Sequence, residues 1–175
     1  MKTVLPLDHV HHTSPWTWHG WQTDLQDAMH KSFTTTMQGR DISSDDARAV
    51  LAYLEAREPP PNPFRNPAGM LPPAAVRGKL VFESRQAGCA TCHSGEYFTD
   101  GKIHDVGLGS DEDRYEGYNT PSLRGVYRKV RFLHDGRAKS LQAVLTEDHA
   151  PDKVAGEGPL SPSQLADLVE YLKSL

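Results

Sequence analysis

Apolar residues recur at helical spacing in three stretches of the chain, and polar capping residues mark where two of them begin. From Ser43, the residues Ala47, Val50, Leu51 and Leu54 fall at +4, +7, +8 and +11, one stripe of an amphipathic helix. Ser43 is a good N-cap type, Asp46 stands three residues on, and Pro59 stops the run. From Ser161 the stripe recurs: Leu165, Leu168, Val169 and Leu172 hold the same offsets, with Pro162 at the first helical position and Gln164 at the third. The third stretch, residues 74–86, carries Val76, Gly78, Leu80, Val81 and Phe82. Gly78 and Phe82 lie four apart and share a face, and a glycine there lets a second helix come close. The natural partner is the C-terminal helix, through Leu168, Tyr171 and Leu172. The pattern predicts an all-α fold.

The two capped helices belong to a longer match. Tyr53 and Tyr171 both stand at +10, and upstream Leu25-Gln26 corresponds to Leu141-Gln142. Further upstream, Trp18-His19-Gly20 stands where Leu133-His134-Asp135-Gly136 stands, which reads as an internal repeat. Two generic amphipathic helices are the plainer alternative. The second copy follows residues 74–132, whereas only residues 1–17 precede the first, so the first copy reads as the rear of a domain whose front half is missing. Between the copies, seven of the thirteen prolines fall within residues 59–73, a semi-rigid linker. The expected organisation is therefore a partial helical segment over 1–58, the linker over 59–73 and a complete domain over 74–175.

Composition narrows the function. Charge is nearly balanced, with 19 Lys and Arg against 23 Asp and Glu, which removes the basic footprint of a nucleic-acid binder. No apolar run approaches the roughly 20 residues that span a bilayer. The 37% hydrophobic content is thin for a self-sufficient core. Two cysteines exclude a disulfide framework, and nine histidines raise the question of a metal.

Both cysteines stand in one hexad, Gly88-Cys89-Ala90-Thr91-Cys92-His93, the attachment pattern of a c-type haem. Two thiols three apart reach the two vinyl groups of one porphyrin, and the next residue sets an imidazole on the iron from the same side. A zinc site would need two further histidines, and a thioredoxin-like dithiol would need a βαβ setting that these flanks lack. The immediate histidine and the absence of further cysteine favour one covalently attached haem c, which also supplements the thin core. A helix, this motif and a C-terminal helix crossing the first resemble the cytochrome c fold.

The following region narrows the resemblance. Phe98-Thr99-Asp100-Gly101-Lys102-Ile103-His104-Asp105-Val106-Gly107 is followed by Asn119-Thr120-Pro121-Ser122-Leu123-Arg124-Gly125-Val126. Then come Phe132-Leu133-His134-Asp135-Gly136-Arg137 and Ser140-Leu141. In this order they resemble the C-terminal haem domain of the bacterial di-haem cytochrome c peroxidase and MauG family, over residues 74–175. Trp16-Thr17-Trp18-His19-Gly20-Trp21 and Leu25 resemble the end of that family's N-terminal haem domain, without its Cys-x-x-Cys-His. The family implies two haems, and this sequence can hold only one covalently.

The resemblance also frames the sixth iron position. The family's electron-transfer haem resembles a His/Met site, but no methionine follows Met70, and the tyrosine of MauG-like proteins has no match because Tyr171 belongs to the terminal helix. His149, in Thr146-Glu147-Asp148-His149-Ala150-Pro151, stands at a suitable place, which gives His93 and His149 as the expected axial pair. An exposed loop histidine is the alternative. By the same analogy Arg124 is expected to hold a haem propionate, with a solvated arginine as the alternative. His134 is read as structural or lying between haems, His104 as ordering its loop, His9, His11 and His12 as a solvated arm, and the three tryptophans as packing. The acidic stretch 107–116 lacks EF-hand spacing and reads as a solvated turn.

The expected activity is single-electron transfer by a mono-haem cytochrome domain of a larger exported protein, periplasmic or otherwise extracytoplasmic. The implied partners are a redox protein or a neighbouring domain, with no nucleic acid and no transmembrane segment. A homodimer through the 43–57 helix would cover Val50, Leu51 and Leu54; the rest of the chain could cover them too. A peroxidase or MauG-like oxidase acting on hydrogen peroxide is the competing enzymatic reading, and a haem-based sensor or structural appendage is the third.

Overall fold

The computed structural model describes residues 2–110, 113 and 116–175. Its main scaffold is the crossing of α3 (Pro73–Glu83) and α6 (Pro162–Lys173). Pro73 and Pro162 each take the first turn, where the missing N–H costs nothing. Ser161 and Gln164 complete a reciprocal capping box at the start of α6. Gly78 is what permits the close crossing: a Cβ built on it would lie 1.9 Å from the Asp167 carbonyl oxygen and 2.8 Å from the Tyr171 Cβ. Arg77 clamps the same crossing with two hydrogen bonds to Asp167, of 2.8 and 2.7 Å. Phe82 meets Tyr171 edge-on at 5.3 Å, and Leu168 and Leu172 are buried beneath.

The connecting chain is mostly turns. It also holds one small antiparallel sheet, β1 (Ile103–His104) with β2 (Tyr118–Asn119), so the all-α expectation is corrected to mostly helical. The sheet has a plain cause. This stretch runs along an apolar wall, where backbone N–H and C=O groups must find partners. The Asn119 N–H extends the pattern by donating to the Trp18 carbonyl at 2.8 Å.

Two stretches share one succession of local features. Trp16 bridges Gln22 and Phe132 bridges Ala138. Inside each bridge the second residue, Thr17 or Leu133, takes a left-handed conformation (φ 71° and 66°), and a glycine follows at φ 65° or 76°. Asp24 then caps α1 (Leu25–Lys31), and Ser140 caps α4 (Leu141–Ala143). Each helix widens into a π turn, Ser32–Thr36 or Val144–Asp148. Next comes a capped helix, α2 (Ser44–Ala56) in one case and α6 in the other, with the short α5 (Pro151–Val154) inserted before the latter. The bridges align Trp18, not His19, with His134, which corrects the histidine match expected from the letters alone.

The N-terminal residues are not a solvated arm. His12 stacks on Tyr97 at 4.8 Å, His9 packs on the same ring, and the His11 Nε2 lies 3.1 Å from the Leu51 carbonyl oxygen. Thr3 donates to the His134 carbonyl at 2.7 Å, and Asp8 pairs with Arg57 and Arg128. The proline-rich stretch is tied to the other end of the chain, since Asn62 and Arg65 donate to the carbonyls of Lys173 and Ser174. Of the acidic stretch read as a solvated turn, Asp111, Glu112, Arg114 and Tyr115 lie outside the described residues. Asp113 is described, and it is an ion-pair centre. Among the described residues no helix is long and apolar enough to cross a membrane.

Candidate haem-binding site

Beyond α3 the chain turns back through Gly88, whose φ of 64° suits a residue without a side chain. A Cβ there would sit 2.4 Å from the Ala155 carbonyl oxygen, so the end of α5 closes directly on this turn. Glu157 reinforces the contact by donating its N–H to the Arg85 and Gln86 carbonyls. A 3-10 turn over Cys89–Thr91 follows, and the His93 N–H donates to the Cys89 carbonyl at 2.9 Å. The local fold thus places two thiols and one imidazole on a single wall.

That wall opens into one cavity lined by Cys89, Cys92, His93 and His149 together. The remaining lining is largely apolar, including Phe82, Leu123, Val126, Phe132, Leu145 and Leu172. The structure therefore brings four of the five sequence-predicted site residues to one place. Arg124 is the exception. It does not line the cavity; its Nε donates to the Glu96 carbonyl at 3.0 Å and its guanidinium lies over Phe98.

His93 is the most enclosed of these groups. Its Nδ1 lies 3.1 Å from the Phe98 carbonyl oxygen and is the donor of that contact, and the Pro121 backbone also bears on the ring. Burial drives its pKa down to about 4, so the ring is neutral near pH 7, the state a metal ligand needs. Burial likewise lowers His149. Burial pushes the Cys89 thiol up to about 11 and raises Cys92, the latter helped by Asp100. Both are therefore protonated thiols near pH 7. Asp100 also accepts from His104 at 2.8 Å, the loop-ordering contact.

Three buried side-chain polar atoms lack a partner among the described residues: Asn119 Oδ1, His134 Nδ1 and His149 Nδ1. All three residues line this cavity. Buried polar groups are ordinarily satisfied, so their clustering marks a place shaped around a group from outside the chain. An apolar slot, paired thiols on a turn and neutral imidazoles fit a c-type haem.

The structure adds wall residues that sequence reasoning passed over. Trp18 reaches the cavity from the N-terminal copy, with its Nε1 donating to the Thr3 carbonyl at 2.7 Å. Tyr118 stacks on His134 at 4.3 Å, and Lys129 also faces in. Trp18 could have been found as the repeat counterpart of His134; Lys129 belongs to no motif.

Comparison with known proteins agrees with this site. The family described as di-haem cytochrome c peroxidase matches residues 79–173. The hydrazine synthase gamma subunit of Kuenenia stuttgartiensis is 30% identical over 169 positions, covering 73% of this chain and 48% of that protein. The methylamine utilization protein MauG of Methylorubrum extorquens is 40% identical over 121 positions, covering 58% of this chain and 34% of that one. The chain thus spans about half the length, or less, of these curated relatives. Among solved structures, the hydrazine synthase of Kuenenia stuttgartiensis superposes with a TM-score of 0.84 at 24% identity, over 99% of this chain and 72% of that one. A MauG-like protein associated with microbial copper homeostasis gives 0.77 at 17% identity, over 99% and 73%. These two likenesses define the fold, and the matched haem region, over half of the sequence, places the chain in the di-haem cytochrome c peroxidase (CCP/MauG) family.

Proposed function

We propose that this chain is a single-electron transfer module built on one covalently attached haem c with His93 and His149 as axial ligands. The observation that carries this reading is the placement of the half-buried His149, whose Nδ1 is buried and without a partner among the described residues, in the lining of the same cavity as the attachment turn. The haem supplies the one-electron couple. Cys89 and Cys92 would hold it through thioether bonds to its two vinyl groups. The Phe98 carbonyl orients the His93 ring through Nδ1. His149 would supply the second ligand, and a haem held by both residues would have no position open to peroxide.

Covalent attachment of this kind takes place outside the cytoplasmic membrane, so the reading includes export. The segment before the linker is read as the rear part of a second cytochrome-like unit, because it repeats the local features of residues 132–173. Its α2 helix, with Tyr53 67% exposed, is the side offered to a redox partner, a neighbouring domain or a second copy.

The family's peroxidase members favour the enzymatic alternative, and one experiment separates the two. The haem-loaded protein should give low-spin spectra without the charge-transfer band of methionine-ligated ferric iron. His149→Ala should convert it to high-spin iron that reacts with peroxide. High-spin iron in the unmodified protein, with rapid peroxide turnover, would establish the enzyme instead. A low-spin spectrum that survives the substitution would remove His149 as ligand.

A further inference from the structure

Among the described lining residues, Lys129 is the single fixed charge. There is no other lysine or arginine among them, and no aspartate or glutamate. Its ammonium lies 5.7 Å from the centre of the Trp18 ring, which lines the same cavity. Its backbone N–H is used in the turn after Val126, which fixes where the side chain starts. No carboxylate pairs with it among the described residues. The half-buried ammonium is depressed below its usual pKa, with burial as the cause.

An ammonium withdrawn from water without a counter-charge is costly, and one face of an indole compensates only part of that cost. Such a group calls for an anion from outside the chain. The haem that this cavity fits brings two carboxylates, and the described lining residues offer them no other cation. Arg124, the residue the family analogy nominates for this task, is already engaged at Glu96 and Phe98, outside the lining.

We infer that Lys129, and not Arg124, receives a haem propionate in a charge-assisted pair. This rests on the haem reading of the same cavity. Lys129 is then a positioning residue that also tunes the potential. A cation beside the haem favours the reduced form, and pairing keeps the propionate ionised. Among the described residues the other titratable wall groups, apart from the thiols and the two ligands, are His104, His134 and Tyr118; they are common to every variant below.

The test is redox titration of haem-loaded protein across about pH 5 to 7, where a buried unpaired carboxylic acid titrates. Lys129→Met should keep its covalent haem, since attachment is through cysteine. Its potential should be lower than that of the unmodified protein and should acquire a pH slope in that range. Lys129→Arg should restore both properties, and Arg124→Met should leave both unchanged. A Lys129→Met protein that matches the unmodified one in potential and pH profile overturns the pairing, as does an Arg124→Met protein that shows the shift. Should the methionine variant fail to fold, the unmodified protein still decides. Its redox-difference infrared spectrum should show ionised propionate throughout the range, and a protonated-carboxyl band there refutes the pairing. Absence of covalent haem from the unmodified protein would overturn the haem reading itself, a different result from haem retained with an unaltered potential.

Discussion

Residues 16–56 and 132–173 pass through the same local conformations and end differently. Each has the bridge, the left-handed residue, the glycine, the capped helix with its π turn and a second capped helix. In the C-terminal stretch α6 lies against α3, with Leu168 0% and Tyr171 4% exposed. In the N-terminal stretch the corresponding Val50 on α2 is half-buried, and Tyr53 is 67% exposed. The residue just after the π turn differs in the same sense. His149 lines the cavity, whereas Met37 is 59% exposed. Local sequence sets these conformations twice over; whether a face becomes core depends on what covers it.

The strongest way to break this comparison is to wedge the one covered interface apart. Gly78→Val places methyl groups where even a Cβ meets the Asp167 carbonyl at 1.9 Å, and backbone cannot step aside as a side chain can. We expect a loss of about 3 kcal/mol or more in urea unfolding of the haem-loaded protein. An unchanged urea midpoint would mean that the α3–α6 crossing is not the main support of the fold.

A paired truncation sharpens the point. Leu168→Ala empties a fully buried position and should cost about 2–5 kcal/mol, whereas Val50→Ala, at the matching place on α2, should cost under about 1 kcal/mol. Equal losses would show that α2 is covered as well as α6 is, contrary to the difference in exposure.

The same contrast explains how much was legible in advance. Capping residues and apolar stripes act within a few residues, so Ser43, Ser161 and the helices they start can be read directly. The attachment turn is equally local, and it singled out Cys89, Cys92 and His93 as one unit. What escaped depends on distant chain. Strands of two residues carry no alternation to detect, and β1 and β2 exist because residues 103–104 and 118–119 meet across a loop. The docking of the arm rests on contacts such as Thr3 with His134, over a hundred positions apart. Arg124 and Lys129 lie five positions apart in one polar segment, and only the turn of the chain decides which of them faces the cavity.

The joint between the two stretches yields the smallest effect, and it is set by pH. Asp113 accepts hydrogen bonds from Lys2 and Tyr118 and lies 3.5 Å from the His19 Nε2 and 3.6 Å from that of His134. It therefore ties the N-terminal stretch to the wall of the haem domain. Lys2 first, and then Tyr118, hold its carboxyl down to about 2 from the usual 3.8. A carboxylate whose pKa falls on folding stabilises the folded form fully above 3.8, and that stabilisation is lost as pH falls toward 2. The loss should be confined to the joint. Hydrogen-exchange protection of the Thr3 and Asn119 amides, which donate to His134 and Trp18, should drop across this window after correction for intrinsic rates. Asp113→Asn should show the reduced protection already at pH 5, without the acid step, while the α3–α6 crossing keeps its protection. If the substituted protein protects Thr3 and Asn119 as well as the unmodified one at pH 5, the carboxylate does not hold the two stretches together.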